Sequence, residues 1–328
     1  METRRATIPA AEEILGGYFP VLDHGFVSLI DYMGGDDAIE QAARVSYGYG
    51  TRTQSHTRGL IRYLRRHLHT TPSEMVELKF HCAMPIFVAR QWIRHRTASV
   101  NEYSGRYSLM PLLFYRPEYE QFALQTESNR QGREAASADR DVYDRAVGWW
   151  DETRERSSET YGWLVENDVA RELARIDLPL STYTQWYWKI DLHNLMHFLT
   201  LRVDSHAQWE IRCYGEVMAG MLKRLAPLSY EAWIDYQVCG ARVGRSELEI
   251  LRELVGVDDS GDGLVARDGA TIGSEDMKNL GLSGREIREL IAKLDTGERV
   301  DFDLDIAQML PAEEFESRMR EAVPGDYD

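Results

Sequence analysis

Residues 90–108 read Arg90-Gln91-Trp92-Ile93-Arg94-His95-Arg96-Thr97-Ala98-Ser99-Val100-Asn101-Glu102-Tyr103-Ser104-Gly105-Arg106-Tyr107-Ser108. Four arginines and a histidine crowd into seventeen residues of a 328-residue chain whose formal net charge is −16. Cations packed this closely call for an anion among them. Pro85 suits the first turn of a helix, where its missing N–H has no intrahelical acceptor, so residues 85–96 read as one short helix. On that helix Gln91, Arg94 and His95 stand at i, i+3 and i+4 and share a face. Residues 101–106 then supply turn formers, a hydroxyl, backbone N–H groups beside a glycine and another guanidinium, a composition suited to a phosphate. A solvated basic face is the plainer reading of a basic run, but aromatic and apolar residues interleave here and Glu102 is the lone acid.

Working outward, Val76, Leu78, Phe80, Cys82 and Met84 alternate with polar or small residues, a period-two strand that leads straight into this helix. Upstream, 26–31 reads as a strand and Asp37 as the cap of a helix to Ala43; 58–67 is a basic amphipathic helix on Leu60, Ile61 and Leu64. Residues 1–23 form a polar leader. Downstream, 111–140 is a polar surface excursion, 141–166 a long helix, 169–176 a short one, and 182–190 an aromatic strand. Asp191 caps a helix to Arg202, a further helix starts at Ser205 or His206 and ends by Leu225, and 229–238 adds one more.

Charge divides the chain. Residues 58–106 carry a net +6, whereas 245–328 carry −12. An acidic tail disfavours a nucleic-acid reader without opposing a pocket for a few phosphates. The tail holds two capping boxes, Ser246-x-x-Glu249 and Ser283-x-x-Glu286, around a Gly/Asp-rich loop. That loop fails as a calcium site, because Gly269 stands where a bidentate Glu is required. The expected division is a leader (1–23), a catalytic body (24–244) and an acidic helical extension (245–328) with no chemistry of its own. No apolar run spans a bilayer and no signal-like start is present, so the chain reads as cytoplasmic. Cys82, Cys213 and Cys239 are isolated and set among apolar residues, which suits buried small hydrophobes rather than disulfides or a metal site.

Arg94-His95-Arg96 followed after seven residues by Ser104 matches the signature of the flavin-dependent thymidylate synthases, and the chain resembles that family beyond it. Residues 43–46, 69–74, 85–90, 174–175 and 201–210 look like family blocks and run in family order. The resemblance implies an α+β fold, a twisted antiparallel sheet flanked by helical layers, assembled as a homotetramer with sites at subunit interfaces. It implies conversion of dUMP to dTMP, with methylenetetrahydrofolate as carbon donor and FAD, reduced by NADPH, as hydride source. By the same resemblance Gln91, Arg94, Glu102, Ser104, Gly105, Arg106, Arg175 and Arg202 surround dUMP. Ser46, Thr71, Glu74, Arg94, His95, Arg96, Glu102, Asp191, His193 and His197 hold FAD, and His69 and Tyr107 stack near the folate. Asp191 and His193 depart from the commoner family residues, Asn and Arg.

Each assignment has a plainer counterpart. His69, Thr71 and Glu74 suit the closing of a helix-to-strand turn, and Arg175 and Arg202 suit ion pairs with nearby Asp177 and Asp204. If Arg202 faces the uracil, its role is electrostatic, since a guanidinium cannot act as a base. Ser104 has no histidine placed to activate it and reads as a phosphate ligand. His193-x-x-x-His197 could hold a metal in a hydrolase, although the pattern lacks a complete ligand set. An RNA-binding protein using 58–106 is the other alternative.

Overall fold

The computed structural model describes residues 6–45, 57–126, 132–257, 264–295 and 300–324. They form two compact units, Met1–Trp233 with Phe302–Asp328, and Ile234–Asp301. In the first unit the chain runs α1 (Pro9–Glu12), β1 (Tyr18–Val21), β2 (Gly25–Met33), α2 (Asp36–Arg44), α3 (Thr57–Arg66), α4 (Thr71–Glu74), β3 (Glu77–Pro85), α5 (Ile86–Trp92) and β4 (Ser99–Glu102). A hairpin of β5 (Ala123–Gln125) and β6 (Arg133–Ser137) follows, then α6 (Arg140–Glu166), α7 (Arg171–Ala174), β7 (Tyr183–Asp191), α8 (Leu192–Arg202), α9 (Trp209–Leu225) and α10 (Pro227–Trp233). The second unit holds α11 (Arg245–Leu254), β8 (Val255–Val257), β9 (Leu264–Ala266), α12 (Ser274–Asn279) and α13 (Gly284–Asp295), after which α14 (Ala312–Glu321) rejoins the first.

The central sheet has the order β1-β2-β3-β7-β4 and is antiparallel at every pairing, so the fold is the expected mixture of helices with an antiparallel sheet. The alternation in β3 sets it. Leu78, Phe80, Cys82 and Met84 are fully buried and stand opposite Ile190, Trp188, Trp186 and Thr184 of β7. Trp92 of α5 drives into this face, its ring 5.4 Å from Trp186 and 5.2 Å from Trp188, edge-on to both, and stacked 5.1 Å from Phe198 of α8. Large aromatic rings dominate such a core by the area they bury. The sheet therefore fixes both the start of the basic motif and the helix that lies over it.

The motif helix is shorter than predicted. It ends at Trp92, with Ile93 as its C-cap, so Arg94, His95 and Arg96 lie beyond the helix and Gln91 does not share a helix face with them. Continuing the helix would set Arg90 and Arg94 at i and i+4 with no acid between them, a repulsive pair. The leader also differs from expectation. Ala11 and Ile14 are fully buried and Tyr18–Val21 pairs with β2 as an edge strand, where Pro20 is tolerated because its missing N–H is not needed by the ladder.

The acidic extension is not one body. In the second unit Ser283 and Glu286 form the predicted box, with Ser283 N donating to Glu286 Oε2 at 2.7 Å. The earlier box is displaced: Gly244 is the cap and its N–H donates to Glu247. Residues 302–323 instead complete the first unit. Tyr18 and Leu310 exchange backbone hydrogen bonds of 3.0 and 2.8 Å, and Leu112 N donates to Ala322 O at 2.8 Å. Phe315 is buried against Tyr18 and Phe26, stacked on the former at 5.6 Å. The sequence shows only an acidic stretch here, because apolar residues such as Leu310, Ala312, Phe315 and Val323, scattered among many charges without a period, are enough to close an edge. Phe315→Ala should lower stability by about 3 kcal/mol or more, seen as a lower thermal midpoint; an unchanged midpoint would mean that this segment is not part of the core.

Candidate functional site

The site residues fall into three groups. The first is the turn after β4. Tyr103 N donates to Gln185 O at 2.8 Å, continuing the β4–β7 ladder, and Ser104 O then accepts from Tyr107 N and Ser108 N at 3.1 and 3.0 Å. Ser104 Oγ accepts from Arg106 N at 3.3 Å. A Cβ at Gly105 would lie 2.7 Å from Met110 Sδ and 3.0 Å from Arg175 Cδ, so a larger residue there would push those side chains away. That contact sets the Arg175 side chain against the turn. Arg106 donates to Glu172 at 2.9 Å across an exposed pair, worth little and easily exchanged for another anion. Tyr107 is 73% exposed, and its carbonyl accepts from Arg171. Glu102 is fixed by Thr184, whose hydroxyl donates to its Oε1 at 2.8 Å.

The second group follows α8. Asp191 caps it, accepting from Asn194 N at 2.9 Å, which confirms the predicted cap. At the other end Arg202 donates through Nε and Nη2 to His95 Nε2, each at 3.0 Å. The His95 ring is edge-on to Phe198 at 4.8 Å and 6.4 Å from His197. Burial, then the Arg202 and His197 charges, depress the His95 pKa to about 4. His193, one turn before His197, is held neutral chiefly by burial and then by the charge of Arg65, and its Nδ1 is buried with no hydrogen-bond partner. The ion pairs suggested by sequence do not form: among the described residues Arg175 meets no carboxylate, and Arg202 meets His95 rather than Asp204.

The third group is α4 and its approach. His69 lies edge-on to Tyr63 of α3 at 5.8 Å and, with Thr70, Thr71 and Pro72, borders a groove of about 1270 Å³. Glu74 reaches into the field of His193, which links this group to α8. Ser46 lies outside the described residues. Among the described residues no hydrogen bond or ring contact joins His69 to Tyr107, or the Ser104–Arg106 turn to α8, so one chain presents its site residues as separate parts.

Arg94, Arg96, Arg175 and Arg202 therefore share one property: among the described residues none is paired with a carboxylate. Gln91 Oε1 is also buried without a partner. Guanidiniums lacking acids, one of them donating to a neutral imidazole, suit the binding of anions. Cysteine chemistry has no matching support, since burial raises the thiol pKa of Cys82 far up and that of Cys213 to about 12, while Cys239 is exposed and not the buried residue expected.

The chain matches the family described as thymidylate synthase complementing protein over residues 28–228. It belongs to that family. A flavin-dependent thymidylate synthase of Rickettsia bellii is 50% identical over 265 residues, covering 77% of this chain and 90% of that protein. The enzyme of the same description from Gluconobacter oxydans is 48% identical over 296 residues, covering 89% of this chain and 92% of that protein. Among solved structures, a UMP/dUMP methylase of Streptomyces cacaoi bound with 5-Br dUMP is 34% identical with a TM-score of 0.60, covering 66% of this chain and 98% of that one. The match spans all three groups. Residue 65 of α3, whose charge reaches His193, was not singled out from sequence; its position one turn after buried Ile61 is the signal that could have found it.

Because Arg202 donates to His95 Nε2, the neutral ring carries its proton on Nδ1. Folding favours that neutral ring, so its contribution to stability is complete above the ordinary value of 6.5 and is lost as pH falls toward 4. Nitrogen-detected NMR should show His95 as one Nδ1-protonated tautomer from roughly pH 8 to pH 5.5; a ring titrating near its ordinary value would contradict the contact.

Proposed function

We propose that the chain converts dUMP to dTMP as a flavin-dependent thymidylate synthase, and that its catalytic contribution is positioning and charge stabilisation. The observation that carries this reading is the set of arginines without acids, in a chain half identical to enzymes of that description. The dUMP phosphate is held by Arg94, Arg106, Arg175 and the Ser104-Gly105 turn, with Glu172 released from Arg106 as the phosphate arrives. Gln91 and Glu102 flank the sugar and base, and Arg202 meets the uracil edge. Oriented by His95, its guanidinium stabilises negative charge that develops on the ring without exchanging a proton.

The residues present fit a flavin dinucleotide. His193 Nδ1 offers a buried unpaired polar atom, and Arg94, His95, Arg96, Glu102, Asp191, His197, Thr71 and Glu74 surround α8 and its neighbours with donors and neutral rings. FAD, reduced by NADPH, supplies the hydride, and methylenetetrahydrofolate supplies the carbon, entering beside His69 and Tyr107. Ser46 joins the cofactor site by the family pattern. The separation of the turn from α8 within one chain supports sites completed between subunits, in a homotetramer. Two alternatives lose ground: among the described residues no group of three or more ligands surrounds His193 and His197 for a metal, and the basic region is taken up by the nucleotide pocket. No described helix is long and apolar enough to cross a membrane. We retain the cytoplasm as its place.

Purified protein should be yellow, with a flavin spectrum, and should form dTMP when given dUMP, methylenetetrahydrofolate and NADPH. Arg202→Ala should keep the flavin while turnover drops by about 10² or more, and Arg94→Ala should lose both flavin and dUMP binding. A colourless protein without dTMP formation refutes the assignment, and an unaffected Arg202→Ala variant removes that residue from the site.

A further inference from the structure

Helix α3 carries four arginines, Arg58, Arg62, Arg65 and Arg66, and they are not equivalent. Arg58 Nε donates to Glu231 Oε2 at 2.9 Å and Arg62 Nη1 to Glu231 Oε1 at 3.0 Å, so two of them tie α3 to α10 through one carboxylate. Arg66 is exposed. Arg65 follows buried Ile61 by one turn and is turned inward onto α8, where its Nη2 lies 2.9 Å from the thioether of Met196. Sulfur is a weak acceptor. No described carboxylate pairs with Arg65, and the neighbouring segment 46–56 contains neither Asp nor Glu.

A guanidinium in such a place is costly, because burial strips its water and it cannot neutralise itself near neutral pH. Even with its pKa brought down by burial to about 10, it stays charged. Its field falls on His193, whose Nδ1 is itself buried and unpaired. From His193 the polar groups continue through His197 and His95 to Arg202, nine residues along α8, a rise of about 13 Å. Arg202 thus stands at the C-terminal end of α8, while Arg65 of α3 lies against Met196 and His193 in its first half.

We propose that Arg65, with His193, binds the diphosphate of the flavin dinucleotide, as a further cofactor-binding residue on α3. The inference rests on the flavin reading above and adds a residue that the signature motif does not contain. If the flavin ring sits toward the Arg202 end of α8, a diphosphate reaching the first half of the helix would meet Arg65 and His193. There the anion supplies the counter-charge that the chain lacks, and the guanidinium offers its remaining N–H groups in a fork suited to phosphate oxygens. The helix that binds Glu231 through two arginines holds the third in place.

The test is titration of deflavinated full-length protein with FAD and, separately, with riboflavin, comparing wild type with Arg65→Met and Arg65→Lys. Methionine keeps the helix propensity and the apolar contact while removing the charge. FAD should bind Arg65→Met roughly ten- to a hundredfold more weakly, with a shallower salt dependence, whereas riboflavin, which has no phosphate, should bind both proteins equally. Lysine should restore part of the FAD affinity. In thermal melts the ligand-free Arg65→Met protein should be at least as stable as wild type, since an uncompensated cation is gone, but should gain less from added FAD. A residue needed only for structure would do the reverse and destabilise the ligand-free protein. Equal FAD affinity, or loss of subunit assembly in place of FAD affinity, overturns the proposal. If wild type itself binds no FAD, the flavin reading fails first and this one with it.

Discussion

A guanidinium keeps its charge at neutral pH, so an arginine that is partly buried without an acid obliges something else to answer it. Among the described residues Arg65, Arg175 and Arg202, each partly buried, are in this position, and the exposed Arg94 and Arg96 likewise meet no carboxylate. The chain is strongly acidic overall, with sixteen more acids than bases, yet it keeps carboxylates away from these five. Glu231 is given to Arg58 and Arg62, Glu210 to Arg133, and Glu172 touches only the exposed Arg106. Arg202 is answered instead by a neutral histidine nitrogen. These described carboxylates are thus engaged elsewhere, and under the proposed function anionic ligands complete the balance.

The scaffold serves that arrangement. Trp92, wedged between Trp186, Trp188 and Phe198, ends the motif helix and fixes where Arg94 and His95 emerge. The same aromatic face seats α8, so that helix and the motif are located by one cluster. On the far side of the turn, Leu109, Met110, Tyr161 and Ala174 form a second buried cluster that receives Val323 from the returning C-terminal segment. The turn bearing Ser104 to Arg106 therefore rests on residues from distant parts of the chain, which holds its donors in place before a ligand arrives.

Much of this was legible in the sequence. The period-two run from Val76 to Met84 announced the central strand and Asp191 the cap of α8, and Arg94 to Ser104 marked the stretch proposed as the site. The misreadings have local causes. Helix periodicity carried the motif helix on to Arg96, because spacing alone does not register the repulsion of Arg90 and Arg94. Residues 302–323 looked like acidic surplus, since a segment that closes an edge with Leu310, Phe315 and Val323 has no period to detect. The pairing of Arg202 with His95, 107 residues apart, and the inward turn of Arg65 onto Met196, 131 residues apart, are products of tertiary packing. No local pattern encodes them.

The central claim is that unanswered guanidiniums make this an anion site, and one comparison tests it directly. Calorimetric titration of the flavin-loaded protein with dUMP and with deoxyuridine separates the phosphate from the base and sugar. The account requires dUMP to bind at least about a hundredfold more tightly at low salt, with the advantage shrinking as ionic strength rises. Equal affinities for the two, or a difference indifferent to salt, would contradict it.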